Sequence, residues 1–243
     1  MFAALKAITQ AIPHAFTSGN LLSGICAILA ISSKEYELAA YLVMFAGLLD
    51  FFDGFLARLF KVSGDFGKQL DSLADVVSFG VVPAYMLYSI ASDLTQWPFN
   101  APENQHWIRF MPLMIGVFSA LRLAKFNLDT RQATGFIGLP TPANAFWIIS
   151  LPFLLESHGE VVFPIIKNLW VIGGFTVLSC FLLVAEIPLF SLKVKGLGWK
   201  ENKWVYIFLI VCLVSLLLLK FAALFILIPL YIVISLFINL LNR

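Results

Sequence analysis

Apolar runs long enough to cross a lipid bilayer recur along the whole chain, and this repetition settles the fold class before any single motif is read. A helix spanning the hydrocarbon needs about 20 predominantly apolar residues, each adding about 1.5 Å of rise. Runs approaching that length, bounded by charge, proline or glycine, occupy residues 15–32, 37–60, 72–91, 108–126, 142–156, 162–184, 203–219 and 221–241. Only Lys220 separates the last two. As one helix they would be about twice as long as a bilayer is thick, so a hairpin turning at Lys220 is expected. Hydrophobic residues make up 60% of the 243-residue chain and charged residues 12%, against about 25% charged in a soluble domain. One compact water-facing core cannot hide that much apolar surface. The expectation is an all-α integral membrane protein, a polytopic helical bundle of about eight transmembrane helices. Residues 1–12, with Phe2, Leu5 and Ile8 opposite Lys6 and Gln10, read as a short N-terminal amphipathic helix lying on the membrane surface. The same segment has a weak apolar core and no clear small-residue cleavage site, which argues against a removable signal.

Basic residues orient the bundle, because Lys and Arg are retained on the cytoplasmic side. With a cytoplasmic N-terminus, that side holds Lys6, Arg58, Lys61, Lys68, Arg122, Lys125, Arg131, Lys193, Lys195, Lys200, Lys203 and Arg243, and the other holds Lys34, Arg109, Lys167 and Lys220. This bias places both termini in the cytoplasm of a cell-membrane protein, with residues 58–71, 122–142 and 185–203 as the inner rim. The formal net charge of +2 is too small to imply a nucleic-acid partner. Cys26, Cys180 and Cys212 lie far apart in apolar stretches and read as packing residues rather than a disulfide framework or metal site.

The chemistry-bearing stretch is residues 48–80. Asp50 and Asp53 are three apart on the second run, and Asp71 and Asp75 are four apart at the start of the third, so each pair shares a helical face. The intervening segment from Lys61 to Gly67 contains Gly64 and Gly67, which are expected to let the chain turn and bring the faces together. Four carboxylates at contact distance repel one another, and Arg58 alone cannot neutralise them. Either several are protonated or cations sit between them. No His or Cys lies in the stretch, so hard divalent ions such as Mg²⁺ or Mn²⁺ suit it better than zinc. Gly54 and Ala57 leave the helix beside Asp53 without bulk, room for a ligand such as a diphosphate to approach the backbone. Two carboxylate-held metals beside a phosphate fit in-line displacement at phosphorus. Taken alone, the four acids suit an ion or proton site in a transporter as well as an enzyme.

The full pattern is Asp50, Asp53 and Gly54, then Ala57 and Arg58, then Gly67, Asp71 and Asp75, and it resembles the signature of the CDP-alcohol phosphatidyltransferase family at every fixed position. That resemblance implies a membrane enzyme moving a phosphatidyl group from a CDP-linked lipid to an alcohol with release of CMP, usually as a homodimer. It implies that Asp50, Asp53 and Asp71 are metal ligands, that Asp75 lies near the metals as the base, and that Gly54, Ala57, Arg58 and Gly67 shape the CDP pocket, where Asp50 and Asn20 also belong to the CDP-lipid set. Looser segments, residues 12–20 with His14, Thr17 and Asn20, residues 121–127 with Arg122, Lys125 and Asn127, and residues 138–145, are similar to the serine-accepting branch of that family. They imply L-serine and CDP-diacylglycerol as the two substrates. Glycerol 3-phosphate or an inositol phosphate is the rival acceptor, and its phosphate would demand a denser cluster of Arg and Lys.

A serine carboxylate needs a cationic partner. Arg122 can grip it bidentately, Lys125 follows one turn later, and Asn127 completes the expected serine-binding set. The same basic residues would also serve as topological anchors. Residues 1–185 are expected to form the family core, with residues 186–243 adding a basic cytoplasmic loop and a C-terminal hairpin.

Overall fold

Helices account for nearly all of the regular structure in the computed structural model, which describes residues 2–62, 64–94, 109–129, 136–166, 168–189 and 198–241. The chain enters through α1 (Phe2–Ser32) and returns through α2 (Tyr36–Leu59). It crosses again in one rod made of α3 (Asp65–Asp75), a π-helical segment over Val76–Val81, and α4 (Val82–Leu94). A 3-10 stretch over 109–113 leads into α5 (Met114–Leu128). There follow α6 (Thr141–Ile149), α7 (Leu151–Ile166), α8 (Leu169–Val184), α9 (Trp199–Leu219) and α10 (Leu224–Leu241). The strands β1 (Phe136–Ile137) and β2 (Pro188–Leu189) pair antiparallel, Phe136 opposite Leu189, and so tie the entry to α6 to the exit from α8. Among the described residues six helical stretches are long and apolar enough to cross a membrane, with Trp170–Val184 a shorter apolar helix. This is a multi-pass membrane fold.

Small residues allow the tight packing at its centre. Ala27, Ala39, Ala40, Val43 and Ala46 are fully buried where α1 meets α2, as expected where packing rather than water exclusion holds helices together. Gly24 brings α1 against the π-helical segment, since an added Cβ would stand 3.0 Å from the Ser78 Cα. Lysines close the turns at both ends of α2. The Lys61 N–H donates to Arg58 O and the Val62 N–H to Ala57 O, with Lys61 at φ 54, the two-bond pattern that terminates many helices with a left-handed residue. Lys34 at φ 63 closes α1 in the same manner.

Three boundaries differ from the sequence reading. Residues 2–12 are not a separate element but the start of α1, which runs on through Pro13; the side chains of residues 1–8, and so the expected amphipathic face, lie outside the described residues. The expected gap between 156 and 162 is a kink instead. The polar run at Glu156 to Gly159 leaves only His158 non-helical (φ −135), and α7 continues to Ile166. Helix α8 then starts where Asn168 accepts the Trp170 N–H. The reversal expected at Lys220 is present: this residue sits at φ 50 and ψ −138. Beyond it α10 runs back along α9, with the Phe208 and Tyr231 rings 5.6 Å apart and those of Trp204 and Phe237 6.2 Å apart.

Candidate active site

The i, i+3 pair on α2 and the i, i+4 pair on α3 face each other because the turn at Lys61 folds α3 back beside the end of α2. Gly64 does not make that turn. It is extended (φ −162) as the N-cap of α3, while Gly67 lies inside α3, where an added Cβ would stand 2.9 Å from His14 Cε1. The role of Gly67 is therefore to admit α1 rather than to bend the chain. One carboxylate oxygen from each of Asp50, Asp53 and Asp71 lies within 4.8 Å of the other two. Asp50 is also within hydrogen-bonding reach of Asp75, so all four acids form one cluster. Asp53 and Asp75 are 6% and 8% exposed.

Two side chains of α1 hold this cluster in place. Thr17 Oγ1 donates to Asp53 Oδ2 at 2.6 Å, and Asn20 Nδ2 donates to Asp75 Oδ1 at 3.2 Å. Ser78, in the π-helical segment just after Asp75, donates to the Asn20 carbonyl at 3.0 Å. Asp71 Oδ1 is buried and has no hydrogen-bond partner among the described residues. A set of carboxylate oxygens without His or Cys, including one orphaned oxygen, matches the preference of a hard divalent cation. Four such acids left without a cation would repel one another in a low-dielectric setting.

Beside the cluster opens a cavity of about 490 Å³, walled by Thr17, Asp53, Gly54, Ala57, Gly67 and Asp71. The Gly54 wall is bare: a Cβ there would meet only the Arg58 guanidinium, at 3.5 Å. The cavity rim carries the edge-to-face pair of His14 and Phe66, centroids 5.3 Å apart, and Lys68, whose Nζ donates to Asn127 O at 3.0 Å. The sequence alone does not identify Thr17 as a support for Asp53, nor does it place His14, Phe66 and Lys68 together at a cavity rim. The i, i+3 spacing of Thr17 and Asn20, the two polar residues that α1 buries against the acids, was the available signal.

The three residues expected to hold the acceptor have different surroundings. Arg122 is buried on α5, its Nε donating to Leu139 O at 3.2 Å and its guanidinium 4.8 Å from the Phe126 ring centroid; its charge is near enough to Asp75 for the two to interact. Lys125 forms an exposed ion pair with Glu186 at 2.8 Å. Asn127 donates to Ser72 Oγ at 2.7 Å, which fastens the end of α5 to α3 one residue after Asp71.

A family model described as CDP-alcohol phosphatidyltransferase matches residues 10–240. The chain is similar to three proteins named CDP-diacylglycerol–serine O-phosphatidyltransferase. That of Helicobacter pylori strain J99 is 32% identical over 195 residues, covering 79% of this chain and 74% of the relative. The Bacillus subtilis strain 168 protein is 39% identical over 145 residues, 58% of this chain and 75% of the relative. The Methanocaldococcus jannaschii protein is 33% identical over 207 residues, 79% of this chain and 91% of the relative.

Proposed function

This chain belongs to the CDP-alcohol phosphatidyltransferase family, and from that membership we propose that it transfers the phosphatidyl group of CDP-diacylglycerol to L-serine, giving phosphatidylserine and CMP. The observation that carries the reading is the grouping of the Asp50, Asp53 and Asp71 oxygens within 4.8 Å of one another on the wall of a cavity that Gly54 leaves open. The names of the relatives favour serine as the acceptor.

Asp50, Asp53 and Asp71, with Asp75 adjoining, are the residues that would hold Mg²⁺ or Mn²⁺. Held there, a divalent ion would supply positive charge to offset the negative charge that develops during displacement at phosphorus. Gly54, Ala57, Arg58 and Gly67 form the donor side, where the missing side chains let a nucleotide diphosphate lie against α2 and Arg58 adds a positive charge. Asp75 takes the proton of the serine hydroxyl as that oxygen bonds to the lipid-linked phosphorus. The bond from this phosphorus to the oxygen of CMP breaks, and CMP leaves. Arg122 faces the serine carboxylate, with Lys125 and Asn127 at the edge of the same region. The buried position of Arg122 under Phe126 suits this role, because a guanidinium held by Leu139 O is already oriented when the acceptor arrives.

The chain works as a cell-membrane protein of eight crossings, counting α8 and the two arms of the 199–241 hairpin separately. Its termini and site are on the cytoplasmic side, where the basic residues collect, and it assembles as a homodimer. Residues 1–185 carry the chemistry, and the hairpin is an addition to them. An acceptor panel with labelled CDP-diacylglycerol, read as lipid product, tests the assignment. Product and CMP should form with L-serine, cease on chelation and return with Mg²⁺ or Mn²⁺. Product from glycerol 3-phosphate but not from serine overturns the acceptor assignment, and full turnover in chelator overturns the metal site.

A further inference from the structure

We infer that Asn20 belongs to the acceptor side of the site and recognises the ammonium group of an amino-acid acceptor, an inference that rests on the serine-transferring reading above. Asn20 is fully buried on α1, and the two ends of its amide are treated differently. Nδ2 donates to Asp75 Oδ1 at 3.2 Å. Oδ1 is buried and meets no hydrogen-bond donor among the described residues. A carboxylate only accepts, so Asp75 fixes the amide with its NH2 inward and leaves the carbonyl as the open end. The backbone of Asn20 is pinned by Ser78 Oγ, and Gly24 one turn on presses α1 against the same Ser78. With Nδ2 and the backbone carbonyl both engaged, Oδ1 is the one end of this residue left open to a donor, and the ammonium of an amino-acid acceptor supplies one. Buried carbonyls are rarely left without one.

The two buried polar groups make opposite demands. The Asn20 carbonyl accepts a donor, and the Arg122 guanidinium, buried on α5 with its Nε on Leu139 O, suits an anion. A molecule carrying a hydroxyl, an ammonium and a carboxylate on two adjacent carbons and their carboxyl satisfies both of them and Asp75 at once. Its hydroxyl meets Asp75, its carboxylate Arg122 and its ammonium Asn20 Oδ1. A phosphate-bearing acceptor would set oxygen lone pairs against that carbonyl instead. The donor cavity has its described wall along Thr17, Gly54 and Gly67, so Asn20 moves from the CDP-lipid set to the acceptor set.

The test uses the full chain in detergent with labelled CDP-diacylglycerol and two acceptors, L-serine and 3-hydroxypropionate, which differ only in the ammonium. The ratio of their kcat/KM values isolates that group, because any displacement of Asp75 slows both alike. The wild type should favour serine by at least about tenfold, the size of a hydrogen bond to a charged group. Asn20→Ala should bring the ratio close to one, with Asn20→Leu as the substitute if the smaller residue prevents folding. Asn20→Asp keeps an acceptor oxygen and should retain the preference while both rates fall. An unchanged ratio in the alanine or leucine variant overturns the inference alone. A wild type that makes no product from L-serine overturns the reading beneath it as well.

Discussion

Thr17 and Asp53 are 36 positions apart in the chain, yet the threonine hydroxyl donates to the carboxylate at 2.6 Å while also bonding Pro13 O one turn back at 3.1 Å. This contact makes α1 a support for the acid cluster rather than only a membrane anchor. Groups that orient metal-binding side chains commonly affect metal affinity about 10- to 100-fold when removed. Thr17→Val, which keeps shape and loses the hydroxyl, should therefore raise the Mg²⁺ or Mn²⁺ concentration for half-maximal activity by about tenfold. Thr17→Ser should stay near the wild type. Titration of CMP release with the divalent ion decides it, and equal midpoints for the valine variant and wild type would detach Thr17 from the site.

Gly54 separates folding from function. Inside α2 an alanine is favoured over glycine by about 1 kcal/mol, and the added Cβ would meet only flexible Arg58 nitrogens at 3.5 Å. Gly54→Ala should leave the melting temperature unchanged or higher. The methyl group would stand in the cavity wall, where even small displacement of a substrate costs up to about 10²-fold in rate. The expected result is a stable protein with kcat/KM for CDP-diacylglycerol reduced at least about tenfold. A stabilised variant of full activity would place the nucleotide elsewhere.

The pairing of acids was legible because helical spacing alone puts Asp50 with Asp53 and Asp71 with Asp75 on common faces. The bilayer-length runs were legible for the same local reason. What escaped depends on tertiary contact. Nothing in the residues around Lys61 announces that a lysine, with Gly64 three residues away, will take the left-handed position. Gly67 looked like a turn residue, whereas it clears space for His14. The π-helical segment after Asp75 forms where Gly24 and Ser78 press together, a packing effect between elements about 54 residues apart. Polar residues around His158 looked like a loop, yet the helix absorbs them with one kinked position. The partner of Lys125 is Glu186, from a segment brought close by the packing of α8 on α5.

Arg122 and Lys125 sit one turn apart, but their burial sets their contributions apart. Arg122 is 6% exposed, and a guanidinium–carboxylate contact there should exceed the strength of a neutral hydrogen bond. Arg122→Ala should raise the KM for serine by about tenfold or more while leaving that for CDP-diacylglycerol near its wild-type value. Arg122→Lys, which retains charge but not the fork, should fall between. Lys125 is engaged with Glu186 in water, where such pairs contribute about 0–1 kcal/mol, so Lys125→Ala should have the smaller effect on serine KM. Parallel kinetic measurements with both substrates varied check the order, and an unchanged serine KM in Arg122→Ala removes that residue from the acceptor site.

A buried indole is one of the contacts that tie the C-terminal hairpin to α6. Trp147 on α6 donates Nε1–H to Phe225 O on α10 at 3.1 Å, and its ring packs against Phe175 with centroids 4.7 Å apart. The carbonyl of Leu139, two residues before α6, is the acceptor for Arg122, so any slack in α6 reaches the guanidinium. Pro229 and the 3-10 turn over Lys220–Ala223 limit how far α10 can adjust on its own. Trp147→Phe keeps an aromatic ring against Phe175 and deletes the donor, leaving a carbonyl in an apolar setting, at a cost of about 1–3 kcal/mol. Its melting temperature in detergent should fall, and serine KM should rise more than the KM for CDP-diacylglycerol. A variant less stable by this amount with both KM values unchanged would show that the hairpin only covers α6 and takes no part in presenting the acceptor.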